Sequence, residues 1–158
     1  MHEELVIVLH NIRSLHNVGS VLRTADGAGV SKVYMTGYTP SPVDEMGRVR
    51  KEIAKTALGA EESVAWECTA DISRLIAKLK KEGFYIVALE QTPDAVDYRS
   101  FAPREPLALI VGNEVRGLSG ALIEKVDASI VIPMRGKKES LNVSVAAGIA
   151  LYRLTDMR

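Results

Sequence analysis

The sequence predicts an α/β fold with a mostly parallel sheet and helices on both of its faces. Short apolar runs alternate with segments of helical periodicity along the whole chain, which is the order that builds a parallel sheet with crossover helices. The run LALIVG at 107–112 also lacks the polar alternation of a half-exposed strand, as expected for a strand covered on both faces.

The first part of the chain predicts two strands, one helix and one long connection. ELVIVL (4–9) predicts a buried strand, and NVGSVLRTADGAG (17–29) predicts a helix closed by glycines. SKVYMTG (31–37) predicts the second strand. The segment 38–66 is irregular, with one short helix expected near 44–55, and a loop of that length inside a compact domain is usually functional or mobile.

The second part continues the alternation. Asp71 is placed to cap a helix whose apolar residues keep helical spacing as far as Gly83. The segment 91–106 contains prolines and predicts only a connection. The remaining predicted elements are strands at 63–67, 84–90, 107–112 and 128–133 and helices at 119–126 and 142–156.

The bulk composition is that of an ordinary globular protein. The 158 residues suffice for one domain, 20 Lys and Arg balance 20 Asp and Glu, and the pI is near 6.8. This balance does not favour an indiscriminate nucleic-acid binder, although a local basic patch remains compatible with it. Aromatic residues make up only 5%, which argues against a broad platform for stacking bases.

The cysteine count and the apolar runs restrict the protein further. Cys68 is the single cysteine, which excludes an internal disulfide and a cysteine-cluster metal site, and we expect a buried apolar thiol. No apolar run approaches the roughly 18 residues of a membrane span, and MHEELVIVLHN lacks the pattern of a signal peptide. The expectation is a cytoplasmic protein without a membrane or metal partner.

Common nucleotide motifs fail at the residues that their mechanisms require. GNEVRGLS (112–119) has the glycines of a phosphate loop, but Leu118 stands where a lysine must reach the phosphates. No G-x-G-x-x-G follows a predicted strand, which argues against a dinucleotide-binding oxidoreductase.

Polar or glycine-rich segments nevertheless follow several predicted strands, and in parallel sheets ligands bind beyond the carboxyl ends of the strands. The segments are HNIRSLHNVG, EQTPD, GNEVRGLS and PMRGKKESLN.

Three segments resemble the signature motifs of the SpoU-type RNA ribose 2′-O-methyltransferases of the SPOUT class. They are NVGSVLRTA (17–25), LIVGNEVRGLS (109–119) and IPMRGKKESLNVSVAAGIALY (132–152), in the family's order and spanning nearly the whole chain. The resemblance implies S-adenosylmethionine as methyl donor, a trefoil knot in the C-terminal part and a homodimer whose active sites are completed across the interface. It also implies that residues 1–158 form a single methyltransferase domain, with the last helix buried between the knot and the partner.

The resemblance changes the interpretation of five residues. Arg23 lies opposite the apolar stripe of its helix, so periodicity alone favours a solvated arginine, whereas the family pattern implies an essential residue that contacts RNA phosphate and orients the ribose hydroxyl. Asn17 is an N-cap, an active-site residue or both. Glu114 either favours a helix N-terminus or holds the knot loops or Asn142. Ser140 and Asn142 are both candidate caps that the resemblance places in the active site.

The same resemblance implies two further sets of residues. The cofactor-binding set follows the predicted strands and comprises Leu89, Glu90, Gly112, Ile132, Met134, Ser140 and Leu141. The RNA-backbone set consists of basic residues near the motif loops and comprises Arg13, His16, Arg48, Arg50, Lys51, Lys55, Arg135, Lys137 and Lys138.

The expected reaction is a single displacement in which the ribose hydroxyl oxygen attacks the sulfonium methyl group, without a metal. Transfer RNA is the first expected substrate and ribosomal RNA the second, with 38–66 as the expected recognition segment. An RNA-binding or assembly module that keeps the fold without turnover is the alternative, and intact Arg23, Glu114, Ser140 and Asn142 argue against it.

Overall fold

The computed structural model describes residues 4–156, which contain one sheet of seven strands. The strands are β1 (Leu5–His10), β2 (Lys32–Thr36), β3 (Trp66–Thr69), β4 (Tyr85–Leu89), β5 (Val96–Asp97), β6 (Leu107–Val111) and β7 (Ala128–Val131). The helices are α1 (Leu15–Ala28), α2 (Lys51–Ala57), α3 (Ala60–Ser63), α4 (Ile72–Lys81), α5 (Gly120–Ile123) and α6 (Val143–Thr155).

The sheet has the order β3-β2-β1-β6-β4-β7-β5, and its neighbouring strands all run parallel. The predicted α/β class with a parallel sheet is therefore confirmed. The central strands β1 and β6 pair in register from Leu5 opposite Leu107 to Leu9 opposite Val111. All five residues of β6 are buried, which accounts for the absence of polar alternation in that run.

Helices cover both faces of the sheet because successive side chains of each strand point to opposite sides. In β1, Leu5, Ile7 and Leu9 belong to the core beneath α1, α2, α3 and α6, whereas Val6 and Val8 belong to the core beneath α4 and α5. The two cores together hold the sheet between two helical layers.

Several element boundaries differ from the prediction. Helix α1 begins at Leu15 and not at Asn17, because the hydroxyl of Ser14 accepts a hydrogen bond from the Asn17 backbone N–H and caps the helix. Ser14 is thus the N-cap, and Asn17 lies inside the first turn. The connection 91–106 contains the two-residue edge strand β5, which is too short to show a periodicity.

Two further expectations need correction. The segment 38–66 holds two short helices, α2 and α3, and the following strand lies at Trp66–Thr69 instead of 63–67. Cys68 is exposed, whereas the sequence analysis predicted a buried thiol. The reason is its position on β3, the strand at one edge of the sheet, where neither central residue is buried. Partial burial still raises the pKa of the thiol, so it is not a thiolate near neutral pH.

Helices α1 and α6 lie side by side and run in the same direction. A β-carbon on Gly148 would lie 3.5 Å from Cγ2 of Thr24, and one on Gly27 would lie 2.8 Å from the hydroxyl oxygen of Tyr152. This packing brings the beginning of α6 next to the beginning of α1.

The trefoil knot implied by the resemblance stays a prediction. No helix within residues 4–156 is long and apolar enough to cross a membrane.

Candidate active site

The carboxyl ends of β4, β6 and β7 surround a cavity of about 280 Å³, close to the lower end of the usual range for small-molecule sites. The segments that follow these strands are the ones that the sequence analysis placed at a common edge. The structure brings together the full predicted cofactor-binding set in the wall of this cavity, which includes Leu89, Glu90, Gly112, Ile132, Met134, Ser140 and Leu141.

The loop after β6 forms one wall and is held by two side chains. Asn113 is buried, and its Oδ1 accepts hydrogen bonds from the backbone N–H groups of Val115 and Arg116, at 2.9 and 2.8 Å. Glu90, at the end of β4, accepts a hydrogen bond of 2.8 Å from the Leu118 backbone N–H through Oε2. The Glu90 carboxylate is thus engaged in shaping the loop, and Glu90 also lines the cavity.

Gly112 is required at the start of this loop by close packing. A β-carbon there would lie 2.5 Å from Cδ2 of Leu118 and 2.9 Å from the backbone carbon of Gly117. Real β-carbons do not approach other atoms this closely, so any side chain at 112 would displace the wall of the cavity.

Glu114 connects this loop to the beginning of α1. Its carboxylate accepts hydrogen bonds from the backbone N–H groups of Arg13 (3.1 Å) and Ser14 (3.0 Å) and from Nδ2 of Asn17 (3.3 Å). Partial burial favours the neutral acid, but the hydrogen bonds from backbone N–H groups, including that of Glu114 itself, and from Asn17 outweigh it and lower the pKa. Glu114 is therefore an ionised acceptor at neutral pH.

Asn17 extends the connection to the beginning of α6. Its side chain is buried, and its Oδ1 accepts a hydrogen bond of 3.3 Å from Nδ2 of Asn142. Asn142 caps α6, since its Oδ1 accepts hydrogen bonds from the backbone N–H and the hydroxyl of Ser144. Glu114 therefore reaches Asn142 through Asn17, and the direct contact that was one of the predicted options is not the one observed. We call these three side chains the Glu114–Asn17–Asn142 cluster.

The segment from β7 to α6 lines the cavity and contains backbone groups without a hydrogen-bond partner in the described part of the chain. Residues 132–142 belong to no helix or strand. Within residues 4–156, the backbone N–H and C=O groups of Ile132, Met134 and Leu141 make no hydrogen bond to protein. One tie to this segment is the hydrogen bond of 2.9 Å from Nε2 of Gln91 to the Glu139 carbonyl. Backbone donors and acceptors that the described residues leave unpaired are thus available in residues that line the cavity.

Arg23 stands apart from the cavity of its own chain. It is exposed on α1, on the side of the helix that faces away from the core. It is not one of the residues that line the cavity, and its side chain makes no hydrogen bond or ion pair with residues 4–156. Within one chain, the structure therefore brings together four of the five predicted catalytic residues, with Glu114 and Ser140 in the cavity wall, and leaves Arg23 outside.

Most of the predicted RNA contacts have exposed side chains, namely Arg13, His16, Lys51, Lys55, Arg135, Lys137 and Lys138. Arg48 is different, because its guanidinium pairs with Asp44 at 3.2 Å. Arg50 is half-buried at the start of α2, and its Nε is buried without a partner in the described part of the chain. These two are less available for phosphate than the sequence suggested.

The sequence analysis missed Asn113 as a site residue. A local signal existed, since asparagine side chains in turns often accept hydrogen bonds from backbone N–H groups about two residues further on. Gly117 has a positive φ of 64° and donates its backbone N–H to the Asn113 carbonyl, which closes that turn.

Among residues 4–156, no three His, Cys, Asp or Glu side chains cluster as metal ligands would.

A parallel sheet with a cavity beyond the carboxyl ends of its strands defines the class of α/β proteins that bind small organic ligands at that edge. The SpoU rRNA Methylase family matches residues 4–152, and the chain belongs to this family. A protein of Staphylococcus haemolyticus, assigned to the TrmH family of tRNA/rRNA methyltransferases, is 35% identical over 94% of the chain. The chain spans 57% of the length of that relative.

Three solved structures share the fold over nearly the whole chain. The A. aeolicus TrmH/SpoU tRNA modifying enzyme is 31% identical with a TM-score of 0.85, over 99% of this chain and 76% of that one. An AdoMet-bound rRNA methyltransferase from Sinorhizobium meliloti is 29% identical with a TM-score of 0.89, over 99% and 57%. An RNA 2′-O ribose methyltransferase is 29% identical with a TM-score of 0.83, over 98% and 57%.

Proposed function

We propose that this chain transfers the methyl group of S-adenosylmethionine to a ribose 2′-hydroxyl of RNA. The observation that carries the proposal is the cavity at the strand ends, with the Glu114–Asn17–Asn142 cluster fixing two of its walls to α1. Two of the similar structures support it, one solved with AdoMet bound and one named for ribose 2′-O-methylation.

The residues of the cavity fit this cofactor. S-adenosylmethionine, when bound, supplies a methyl group on a positively charged sulfur. Leu89, Ile132, Met134 and Leu141 offer apolar contact to a flat base. The free backbone groups of the segment from β7 to α6 offer the paired donors and acceptors that the edge of a purine needs. Ser140, which is exposed at the rim, offers a hydroxyl.

The Glu114–Asn17–Asn142 cluster positions the parts of the site. The ionised carboxylate fixes Asn17, Asn17 fixes Asn142, and Asn142 holds the first turn of α6 beside the cavity. Methyl transfer between two bound molecules depends on alignment, and such positioning contributes through the entropy already lost in folding. We assign these three residues to positioning of the loops and of the ribose.

A homodimer is the second part of the proposal. In α6, the exposed or half-buried residues Val145, Gly148, Ile149 and Tyr152 recur with spacings of three and four, which is one face of a helix. Val145 is 50% exposed and Tyr152 is 49% exposed in the single chain. A contiguous apolar face of this kind is typical of a contact between subunits. A two-fold contact through α1 and α6 would cover it.

The dimer also gives Arg23 its role. Arg23 lies on the outward face of α1, the helix next to α6, so a partner seated on this surface would receive its guanidinium. We propose that Arg23 of one chain completes the site of the other, where it binds a phosphate and orients the 2′-hydroxyl. Guanidinium stays protonated at any physiological pH, so orientation and charge are its contribution.

Transfer RNA is the proposed substrate, with ribosomal RNA as the second candidate. The A. aeolicus protein of known structure is a tRNA modifying enzyme, and its chain is the one of the three that this chain covers most fully. The exposed cations Lys137 and Lys138, next to the cavity, suit the backbone of either RNA.

The test uses S-adenosylmethionine with a labelled methyl group and RNA from a strain that lacks the gene, separated into transfer and ribosomal fractions. Wild-type protein should label one fraction, and the label should reside in dinucleotides that resist alkali, because a 2′-O-methyl group blocks cleavage of the adjacent phosphodiester. Arg23→Ala should lose most of the activity, whereas Lys81→Ala, which removes an exposed cation from the end of α4, should keep it. Label in alkali-sensitive nucleotides would refute ribose methylation, and no label despite cofactor binding would favour a non-catalytic module.

A further inference from the structure

An exposed tyrosine stands next to the cavity and is held at two points. Tyr38 follows β2, and 56% of its surface is exposed. Its backbone N–H donates to Oδ1 of Asn11 at 3.1 Å, and its hydroxyl oxygen accepts a hydrogen bond of 2.8 Å from Nδ2 of Asn113. An exposed aromatic side chain with both ends fixed loses little further freedom when a ligand covers its ring.

The support beneath Tyr38 is built at the ends of β1 and β2. Asn11 has a positive φ of 55°, and its Nδ2 lies 3.3 Å from Nε2 of His10. His10 is held in turn by Thr36, with 2.9 Å between Nδ1 and Oγ1, and burial lowers the pKa of the imidazole, which is therefore neutral near pH 7. Gly37 also has a positive φ, and a β-carbon on it would collide with the Asn11 side chain. His10, Asn11, Thr36 and Gly37 thus form the support that holds the Tyr38 ring.

Asn113 joins this support to the cavity. Its Nδ2 donates hydrogen bonds to the Tyr38 hydroxyl and to the Asn11 carbonyl. Its Oδ1 accepts hydrogen bonds from the backbone N–H groups of Val115 and Arg116 and so shapes their loop. The Tyr38 ring is therefore positioned relative to the wall of the cavity by a single side chain, with no flexible segment between them.

Two exposed arginines lie on the segments that hold Tyr38. Arg13 is two residues beyond Asn11, and its backbone N–H is bound by Glu114. Arg116 is exposed at the far side of the turn that Asn113 closes. An exposed aromatic ring on segments that also carry cations is a combination used to bind single-stranded nucleic acids, because bases stack on the ring and phosphates pair with the cations.

We propose that Tyr38 is a stacking position for a nucleobase of the RNA substrate, next to the nucleotide whose ribose is methylated. Arg13 and Arg116 bind the phosphates on either side of that base. The inference rests on the proposed function and adds a residue that selects an unpaired nucleotide at the target. It agrees with the low aromatic content, since one ring replaces a broad platform.

The experiment compares Tyr38→Ala, Tyr38→Phe and Tyr38→Trp in the holoenzyme, with the RNA fraction that the wild type methylates as probe. Tyr38→Ala should weaken RNA binding about 5- to 150-fold, as expected for the loss of one base–aromatic stack. Tyr38→Phe keeps the ring without the hydroxyl and should stay within about threefold of wild type, and Tyr38→Trp should bind at least as tightly. Affinity for S-adenosylmethionine should stay unchanged in all three variants, because Nδ2 of Asn113 keeps the Asn11 carbonyl as an acceptor.

A second readout separates stacking from support of the loop. In a Trp66→Phe background, Tyr38→Trp provides an indole whose fluorescence the bound RNA should quench. RNA affinity unchanged in Tyr38→Ala, or lost together with cofactor affinity, would overturn the inference while leaving the proposed function intact. A wild-type protein that methylates no RNA would instead reject the proposed function, and this inference with it.

Discussion

Replacing Glu114 by alanine should destabilise the protein, because the carboxylate is the shared acceptor for three donors on α1 and the segment before it. The bonds from Arg13, Ser14 and Asn17 measure 3.1, 3.0 and 3.3 Å. In Glu114→Ala, the buried amide of Asn17 and the partly buried N–H of Ser14 lose their acceptor, while water replaces it at the exposed Arg13.

The loss of stability in Glu114→Ala is estimated from the two donors least accessible to water, the Asn17 amide and the Ser14 backbone N–H. A hydrogen bond to a charged group contributes about 1.5–3 kcal/mol, and partial exposure of Glu114 favours the lower value for each. Two such bonds give a loss of about 3 kcal/mol in the free energy of unfolding. For a domain of this size, that corresponds to a fall in Tm of roughly 6–12 °C.

The assay is urea denaturation at pH 7, followed by circular dichroism, with Glu124→Ala as the matched control. Glu124 is exposed at the end of α5, and its side chain makes no hydrogen bond with residues 4–156, so its replacement should leave the midpoint unchanged. A loss below about 0.5 kcal/mol in Glu114→Ala would refute the reasoning, because it would place the variant among ordinary surface substitutions.

Three further predictions address the cavity, the charge and the dimer. Gly112→Ala should weaken S-adenosylmethionine binding at least about tenfold by calorimetry, since the new methyl group displaces Leu118, whereas Gly120→Ala, with open space at its β-carbon, should not. The pKa of Glu114 is lowered from 4.5, so its stabilisation is complete above that value and is lost as the pH falls through the folded-state pKa. The stability difference between wild type and Glu114→Gln should therefore be constant from about pH 6 to 8 and shrink below about pH 4, and a difference that grows in acid would contradict the assignment. Val145→Glu, which puts a charge on the exposed face of α6, should halve the mass measured by light scattering and abolish methyl transfer.

The fold was predictable from local signals, because its strands are short apolar runs and its helices have caps. Asp71 caps α4 as its position in the sequence indicated, and β6 is buried throughout as its lack of alternation indicated. Strand β5 was not predictable, since two residues carry no period. Cys68 was misplaced because the sequence does not say which strand lies at the edge of the sheet.

Some features of the candidate site were also predictable from the sequence, and others were not. The shared location of the predicted cofactor-binding set followed from its position after the strands, and all of it lines one cavity, while its contacts with the cofactor stay a prediction. The link from Glu114 through Asn17 to Asn142 was not, because it depends on the register of α1 against α6. Tyr38 was missed because its contact with Asn113 joins residues 75 positions apart, which no local pattern reports.

The most direct test of the account is a mixture of two inactive proteins, Arg23→Ala and Asn142→Ala. If Arg23 of one chain completes the cavity of the other, the mixed dimer contains one intact site. Equal amounts of the two variants, dissociated and reassembled at random, should then recover about one quarter of wild-type methyl transfer. No recovery, although both variants form dimers and Arg23→Ala binds S-adenosylmethionine, would contradict a reaction centre built from two chains.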